Sequence, residues 1–189
     1  MKSVFLIISE DCRGLRRLTA QGVSRYGVVG REATMTGDQE IIAALNDLLA
    51  QELSAIDQYL VQAHMLDDWG YGKLHERIAH EAEDERGHVA LLIKRVLFLG
   101  GVPDVASRVA LRIGKDPKEI LESDLELEIK VASALNTAMA LCRNKGDNGT
   151  RAMLEVLLKD TENDHILWFE TQLRLIEALG QEAYLAEQL

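Results

Sequence analysis

Apolar residues recur at steps of three and four along four stretches of this chain, and each stretch places a glutamate inside its apolar stripe. The first stripe runs Ile42, Leu45, Leu49, Glu52, Ile56, Tyr59, Ala63, Leu66, and the second Ile78, Ala82, Glu85, Val89, Leu92, Val96, Leu99. The third runs Leu121, Leu125, Glu128, Ala132, Leu135, Met139, Cys142, and the fourth Leu158, Glu162, His165, Phe169, Gln172, Ile176, Leu179. Such spacing is the seam of a packed α-helix. It predicts helices over residues 38–68, 73–99, 116–145 and 150–179, and a short fifth helix within 181–189. Local chemistry agrees. Asp116 suits an N-cap, Pro117 the first helical position and Glu119 the third, while Gly100-Gly101 and Gly180 are stops. Trp69-Gly70-Tyr71-Gly72 turns the first helix into the second. The stretch 100–115 is too long for a tight hairpin, so it can cross the bundle and leave the second and third helices parallel. The expected fold is all-α: a four-helix bundle with a long crossover and a short C-terminal fifth helix.

A carboxylate on a buried stripe is costly unless it is paired, protonated or bound to metal. Four of them converging in one core repel, and a multivalent cation between them removes the repulsion. Glu85 and Glu162 each begin a Glu-x-x-His, ending at His88 and His165. Residues three apart share a helix face, so each pair offers an oxygen and a nitrogen to one point. The motif alone is weak, and its place on the seams gives it weight. The chain therefore reads as a bundle with a two-metal site in its core, with Glu52, Glu85, His88, Glu128, Glu162 and His165 as candidate ligands. Carboxylate and imidazole donors suit iron or manganese.

Other residues read more plainly. Tyr59 shares the face of Glu52, and spacing alone favours a core tyrosine with one hydrogen bond over an electron donor near the metals. Asp124 and Glu126 fall off the strict seam, and Glu81, Glu83 and Asp84 form a run typical of a solvated face. His80 and Asp84 are an i, i+4 pair, either an ordinary surface arrangement or a weaker metal site. His64 and His75 read as structural or surface residues, and Cys142 as core.

Composition narrows the picture. The 189 residues suffice for one sizeable core, and the net charge of −10 with no long basic run argues against a nucleic-acid partner. No stretch is apolar for long enough to span a membrane. Two cysteines do not make a disulfide framework. Residues 1–34 differ from the rest, with a net charge of +3 against −13 for residues 35–189. Their run Val4-Phe5-Leu6-Ile7-Ile8 is too short for a signal-peptide core. They read as an extension, disordered or non-native, ahead of a domain at 35–189 that begins afresh at Met35. A cytoplasmic location is expected.

Residues 35–189 resemble bacterioferritin, the haem-containing branch of the ferritins. The likeness rests on Met35-Thr36-Gly37-Asp38, on Gln51 to Tyr59, on His80-Glu81 with Asp84-Glu85 and His88, and on Arg95 to Pro103. It continues through Ser123 to Glu128 and Trp168 to Leu173. The resemblance implies a hollow octahedral cage of twenty-four subunits. Each subunit would oxidise Fe(II) with O₂ or H₂O₂ at a di-iron site and store Fe(III) as mineral inside. The family's ligands fall on the six residues named above, with Glu85 and Glu162 bridging two irons. Its redox-active tyrosine falls on Tyr59, and its weaker inner-surface iron site on His80 and Asp84.

Two departures follow from the same likeness. The family's haem takes a methionine from each of two subunits, and that position is Arg86 here. Arginine is not a normal haem ligand. Haem b is therefore expected to be absent or substoichiometric, unless a sister subunit supplies the methionine in a mixed cage. The chain also carries one extra residue between Lys159-Asp160 and His165, to be absorbed as a bulge in the helix or in the loop before it. A di-iron peroxidase of the rubrerythrin kind is the competing function. Those proteins usually add a Cys-x-x-Cys iron domain, and this chain has none.

Overall fold

Helix boundaries follow the capping chemistry. In the computed structural model, which describes residues 36–189, α1 spans Gln39–Asp68, and its N-cap Asp38 accepts a hydrogen bond from the Glu40 amide. The extension read at residues 1–34 lies outside the described residues. α2 spans Gly72–Phe98 and α3 Pro117–Lys145. Asp116 caps α3 by accepting from the Glu119 amide at 2.9 Å, with Pro117 inside the first turn. Gly146 ends α3 in the left-handed conformation, at φ 76°. Asp147 then caps α4, Asn148–Asp160, through the Thr150 amide. A π-helical turn, Thr161–Ile166, carries α4 into α5, Leu167–Leu179. The short α6, Gln181–Ala186, closes the described chain. It buries Tyr184, and Lys73 reaches the Gln188 and Glu187 carbonyls beyond it.

The link between α2 and α3 lies along α1 and runs in the same direction. Asn46 pairs with Val102 and Asp104, the Ser54 hydroxyl accepts from the Val109 amide, and the Gln58 carbonyl accepts from the Arg112 amide. The chain so returns to the end where α2 began, and α2 and α3 run parallel. The fold is the all-α bundle that the seams predict.

The core has two apolar halves. Leu45, Leu49, Leu92, Val96, Leu135 and Leu157 belong to one, and Tyr59, Leu66, Ile78, Leu121, Phe169 and Ile176 to the other. A layer of buried polar groups carried on α1, α2, α3 and the π turn holds Glu52, Glu81, Glu85, His88, Glu128 and His165. Two expectations about phase need correction. In α4 the buried residues are Thr150, Leu154 and Leu157, and Thr161 follows them at the start of the π turn, so Leu157 and Thr161 take the inward places one position ahead of the expected Leu158 and Glu162. The π turn spends one more residue per turn, so the expected stripe resumes at His165 within the turn and at Phe169 in α5. In α2 the buried stripe includes Glu81 and His88 as well as Glu85.

Gly114 tests how tightly the crossover meets α3. A Cβ there would lie 2.4 Å from the Ile120 nitrogen and 2.6 Å from the Glu119 carbonyl carbon, both backbone atoms. Gly114→Ala should therefore cost about 1–3 kcal/mol. Thermal melting should show a clearly lower midpoint, and an unchanged midpoint would mean that the junction yields freely.

Candidate metal centre

Glu85 stands at the middle of the polar layer and serves two sides at once. Its Oε2 lies 2.8 Å from His88 Nδ1, and its Oε1 lies 3.1 Å from His165 Nδ1. Glu52 Oε1 is 3.8 Å from His88 Nδ1, and Glu128 Oε2 is 3.4 Å from His165 Nδ1. The result is two ligand groups, Glu52–Glu85–His88 and Glu85–Glu128–His165, each with atoms close enough to surround one ion. The two imidazole rings face each other with centroids 5.8 Å apart. Local helix geometry makes this possible. The i, i+3 spacing puts Glu85 and His88 on one face of α2, while α1 and α3 contribute one glutamate each.

Many of these atoms have no hydrogen-bond partner although they are buried. Both oxygens of Glu52, Oε2 of Glu128 and both ring nitrogens of His165 are in this state. Orphaned carboxylate and imidazole donors at such density fit a divalent cation of the iron, manganese or zinc type. Glu85, with one oxygen toward each group, fits a bridge.

Five of the six candidate ligands come together; Glu162 does not. It is exposed and belongs to neither group. In the wider π turn, three residues cover less of the circle than in an α-helix, so Glu162 trails too far round from His165 to share its face. Thr161, four residues before His165, takes the inward place. Three further acids stand near the centre. Glu81 is fully buried, with Oε2 3.2 Å from His165 Nε2 and Oε1 2.5 Å from Arg77 Nη2. Asp160, at the end of α4, accepts from His88 Nε2 at 3.2 Å. Asp124 is buried too and accepts from Gln58 Nε2 at 2.8 Å.

Tyr59 is fully buried and its hydroxyl donates to Glu128 Oε1. Its ring lies 6.3 Å from Phe169, which meets Trp168 edge-on at 5.1 Å. His80 and Asp84 form a 2.8 Å pair at the surface of α2. Arg86 is also at the surface, with its guanidinium 2.5 Å from Glu83.

The ferritin-like domain family matches residues 42–179. A bacterial ferritin of Synechocystis sp. is 44% identical over 155 residues, covering 82% of this chain and 99% of its own. A bacterioferritin of Mycolicibacterium paratuberculosis is 40% identical over 153 residues, covering 81% and 96%. The chain belongs to the bacterioferritins. A bacterial ferritin of Paramagnetospirillum magnetotacticum, 43% identical over 152 residues, is a further relative. Membership of the ferritins makes iron binding and iron storage its broad role. No helix among the described residues is long and apolar enough to cross a membrane.

Without a cation, this bacterioferritin centre balances itself with protons. Burial lifts Glu52 well above the usual carboxylate range, and the nearby Glu85 carboxylate adds to it. Glu128 is raised for the same two reasons. Burial pushes Glu81 up to about 7 against the pull of His165 and Arg77. Glu85 goes the other way. Burial opposes it, but the contacts from His165 and His88 prevail and hold its carboxyl far below the ordinary range. His165 would be lowered by burial, yet Glu128 and Glu85 push it up to about 11.

A metal ligand must shed its proton, so loading should release protons and weaken as the pH falls. The sign for folding stability follows from the raised values. Glu81 stabilises most below its unfolded range, and that contribution is lost as pH rises through about 7. His165 loses its contribution more gradually as pH rises toward about 11. Glu85, being lowered, matters only in strong acid. The melting midpoint of metal-free protein should therefore fall as pH rises from about 6 to about 9, and a bound divalent cation should flatten that slope. Calorimetry with and without Co(II) measures both. A metal-free midpoint that rises over this range would contradict the assignment.

Proposed function

We propose that this subunit is a ferroxidase: it oxidises Fe(II) at the buried centre with O₂ or H₂O₂, and the Fe(III) is stored as mineral inside a hollow cage of like subunits. The observation that carries this reading is Glu85. A single buried carboxylate directs one oxygen into each of two carboxylate–imidazole groups, at the midpoint of a bundle from the iron-storing family.

The residues divide the work. Glu52 and His88 hold one iron, Glu128 and His165 the other, and Glu85 spans both. Each Fe(II) yields one electron, so the pair supplies two, which with two protons take O₂ to H₂O₂ or H₂O₂ to two waters. The protonated carboxyls of the metal-free centre release protons as iron arrives. Tyr59 hydrogen-bonds directly to Glu128, and it can give one electron from the ring to the O₂ or H₂O₂ being reduced as its proton passes to that carboxylate. That contact supports the redox role implied by the resemblance over the plain core role.

The surface supports assembly. Leu60, Val61, Leu97 and Phe98 on the helices, and Val102 and Val105 on the crossover, are large apolar side chains left exposed on one subunit. Burying them between subunits is what a cage would do. The membership of the ferritins favours storage over a peroxidase that retains its iron.

Glu52→Ala and His165→Ala should each slow Fe(II) oxidation, followed by stopped-flow absorbance, by more than the about 100-fold typical of losing an outer-shell contact. The cages should still assemble, because each change removes charge from a crowded buried site. Wild-type kinetics in Glu52→Ala/Glu128→Ala would refute the centre. A second expectation concerns haem. With Arg86 held by Glu83 at each family haem position, a homomeric cage should bind little or no haem b, and Arg86→Met should restore a bis-methionine absorption spectrum. Full haem occupancy in the unmodified homomer would overturn this reading of Arg86.

A further inference from the structure

Each histidine of the centre has its outer ring nitrogen against an acid from the opposite arm of the bundle. His88, on α2, turns Nδ1 to Glu85 at 2.8 Å and Nε2 to Asp160 at 3.2 Å, and Asp160 ends α4. His165, in the turn after α4, places Nδ1 3.1 Å from Glu85 and Nε2 3.2 Å from Glu81 on α2, within ion-pair distance but not aligned as hydrogen bonds. The exchange is reciprocal. α2 lends an acid to the histidine of the other arm and receives one in return.

An imidazole that ligates through Nδ1 carries its proton on Nε2, and an acid beside Nε2 fixes that tautomer, aims the ring and makes the ligating nitrogen more basic. We propose that Asp160 and Glu81 are positioning residues for the metal centre, Asp160 for His88 and Glu81 for His165. This rests on the two-metal reading above.

The surroundings fit the role. Glu81 is braced from its far side. Arg77 Nη2 meets its Oε1 at 2.5 Å, and the same guanidinium meets Asp164 at 3.0 Å and lies 5.2 Å over the Trp168 ring. Asp160 reaches His88 from the exposed side, where α4 gives way to the π turn. Glu81 has one rival use, as a ligand, because Glu81, Asp84 and His165 also gather closely enough to hold an ion. The two uses exclude each other at His165, whose Nε2 cannot both carry a proton toward Glu81 and bind a cation. Its Nδ1 already faces two carboxylates, Glu85 and Glu128, so a cation held with them takes Nδ1 and leaves the proton on Nε2.

Anaerobic Co(II) titration of the full chain, followed by visible absorbance, separates these possibilities. Wild type should bind two ions per subunit. Asp160→Ala should weaken one of the two by about 10–100-fold, with the metal-free melting midpoint unchanged because Asp160 is exposed. Asp160→Asn keeps an acceptor oxygen and should recover part of the loss. Glu81→Gln should weaken the other ion, and Asp160→Ala/Glu81→Gln should weaken both. If wild type fails to bind a pair of Co(II) ions, the two-metal reading falls and this proposal with it. If the pair binds and the variants match wild type, the positioning roles alone are overturned. Loss of a third ion in Glu81→Gln, with the pair intact, would make Glu81 a ligand and also overturn its positioning role.

Discussion

Mutual repulsion among buried carboxylates governs this bundle. Glu52, Glu81, Glu85 and Glu128 sit in the core, each no more than 1% exposed. An isolated ionised carboxylate there would be far too costly to keep. The centre meets this by pairing Glu85 with two histidines and by leaving the remaining acids to hold protons until a cation replaces them. The same crowding that costs stability without a cation is what would favour a divalent ion there. The apolar halves on either side must supply the stability that the polar layer does not, as bundles with core metal sites require.

A second set of polar contacts holds the frame. The crossover is fastened to α1 at Asn46, Ser54 and Gln58, and Gln58 passes the connection on to Asp124 of α3. Gln62 reaches Ser123 one turn further along. The loop that makes α2 and α3 parallel is thus joined through one glutamine to the helix that carries Glu128. The orientation of Glu128, and of the Tyr59 hydroxyl bonded to it, depends on this chain of amides and acids.

The seams of α1 and α3 were readable in the sequence because both helices are regular from end to end. Glu52 and Glu128 emerge buried where the periodicity put them. α2 allows two phases. Ile78, Ala82, Glu85 keeps the stripe apolar, while Ile78, Glu81, Glu85, His88 has the same steps and puts acids inside, and the preference for apolar residues concealed Glu81. Asp124 lies one turn before Glu128 on the same face, a signal that was present but gave way to the strict apolar seam through Leu121, Leu125 and Glu128, off which Asp124 falls. Glu162 lies outside the cluster for a different reason. Helical periodicity assumes a constant number of residues per turn, and the π turn at 161–166 breaks it. The extra residue in this segment was the visible sign, but it did not show which residues the wider turn would face inward.

The two ligand groups differ in where their atoms come from along the chain. Glu52, Glu85 and His88 all lie on the α1–α2 hairpin, which is local in sequence and closed by a four-residue-scale turn around Gly70. Glu85, Glu128 and His165 span that hairpin and the other one. An ion in the first group needs only a single formed hairpin, whereas an ion in the second exists only when the two hairpins have docked. The second position is therefore a clasp between the halves of the subunit, and its occupancy reports the closure of the bundle, while occupancy of the first does not.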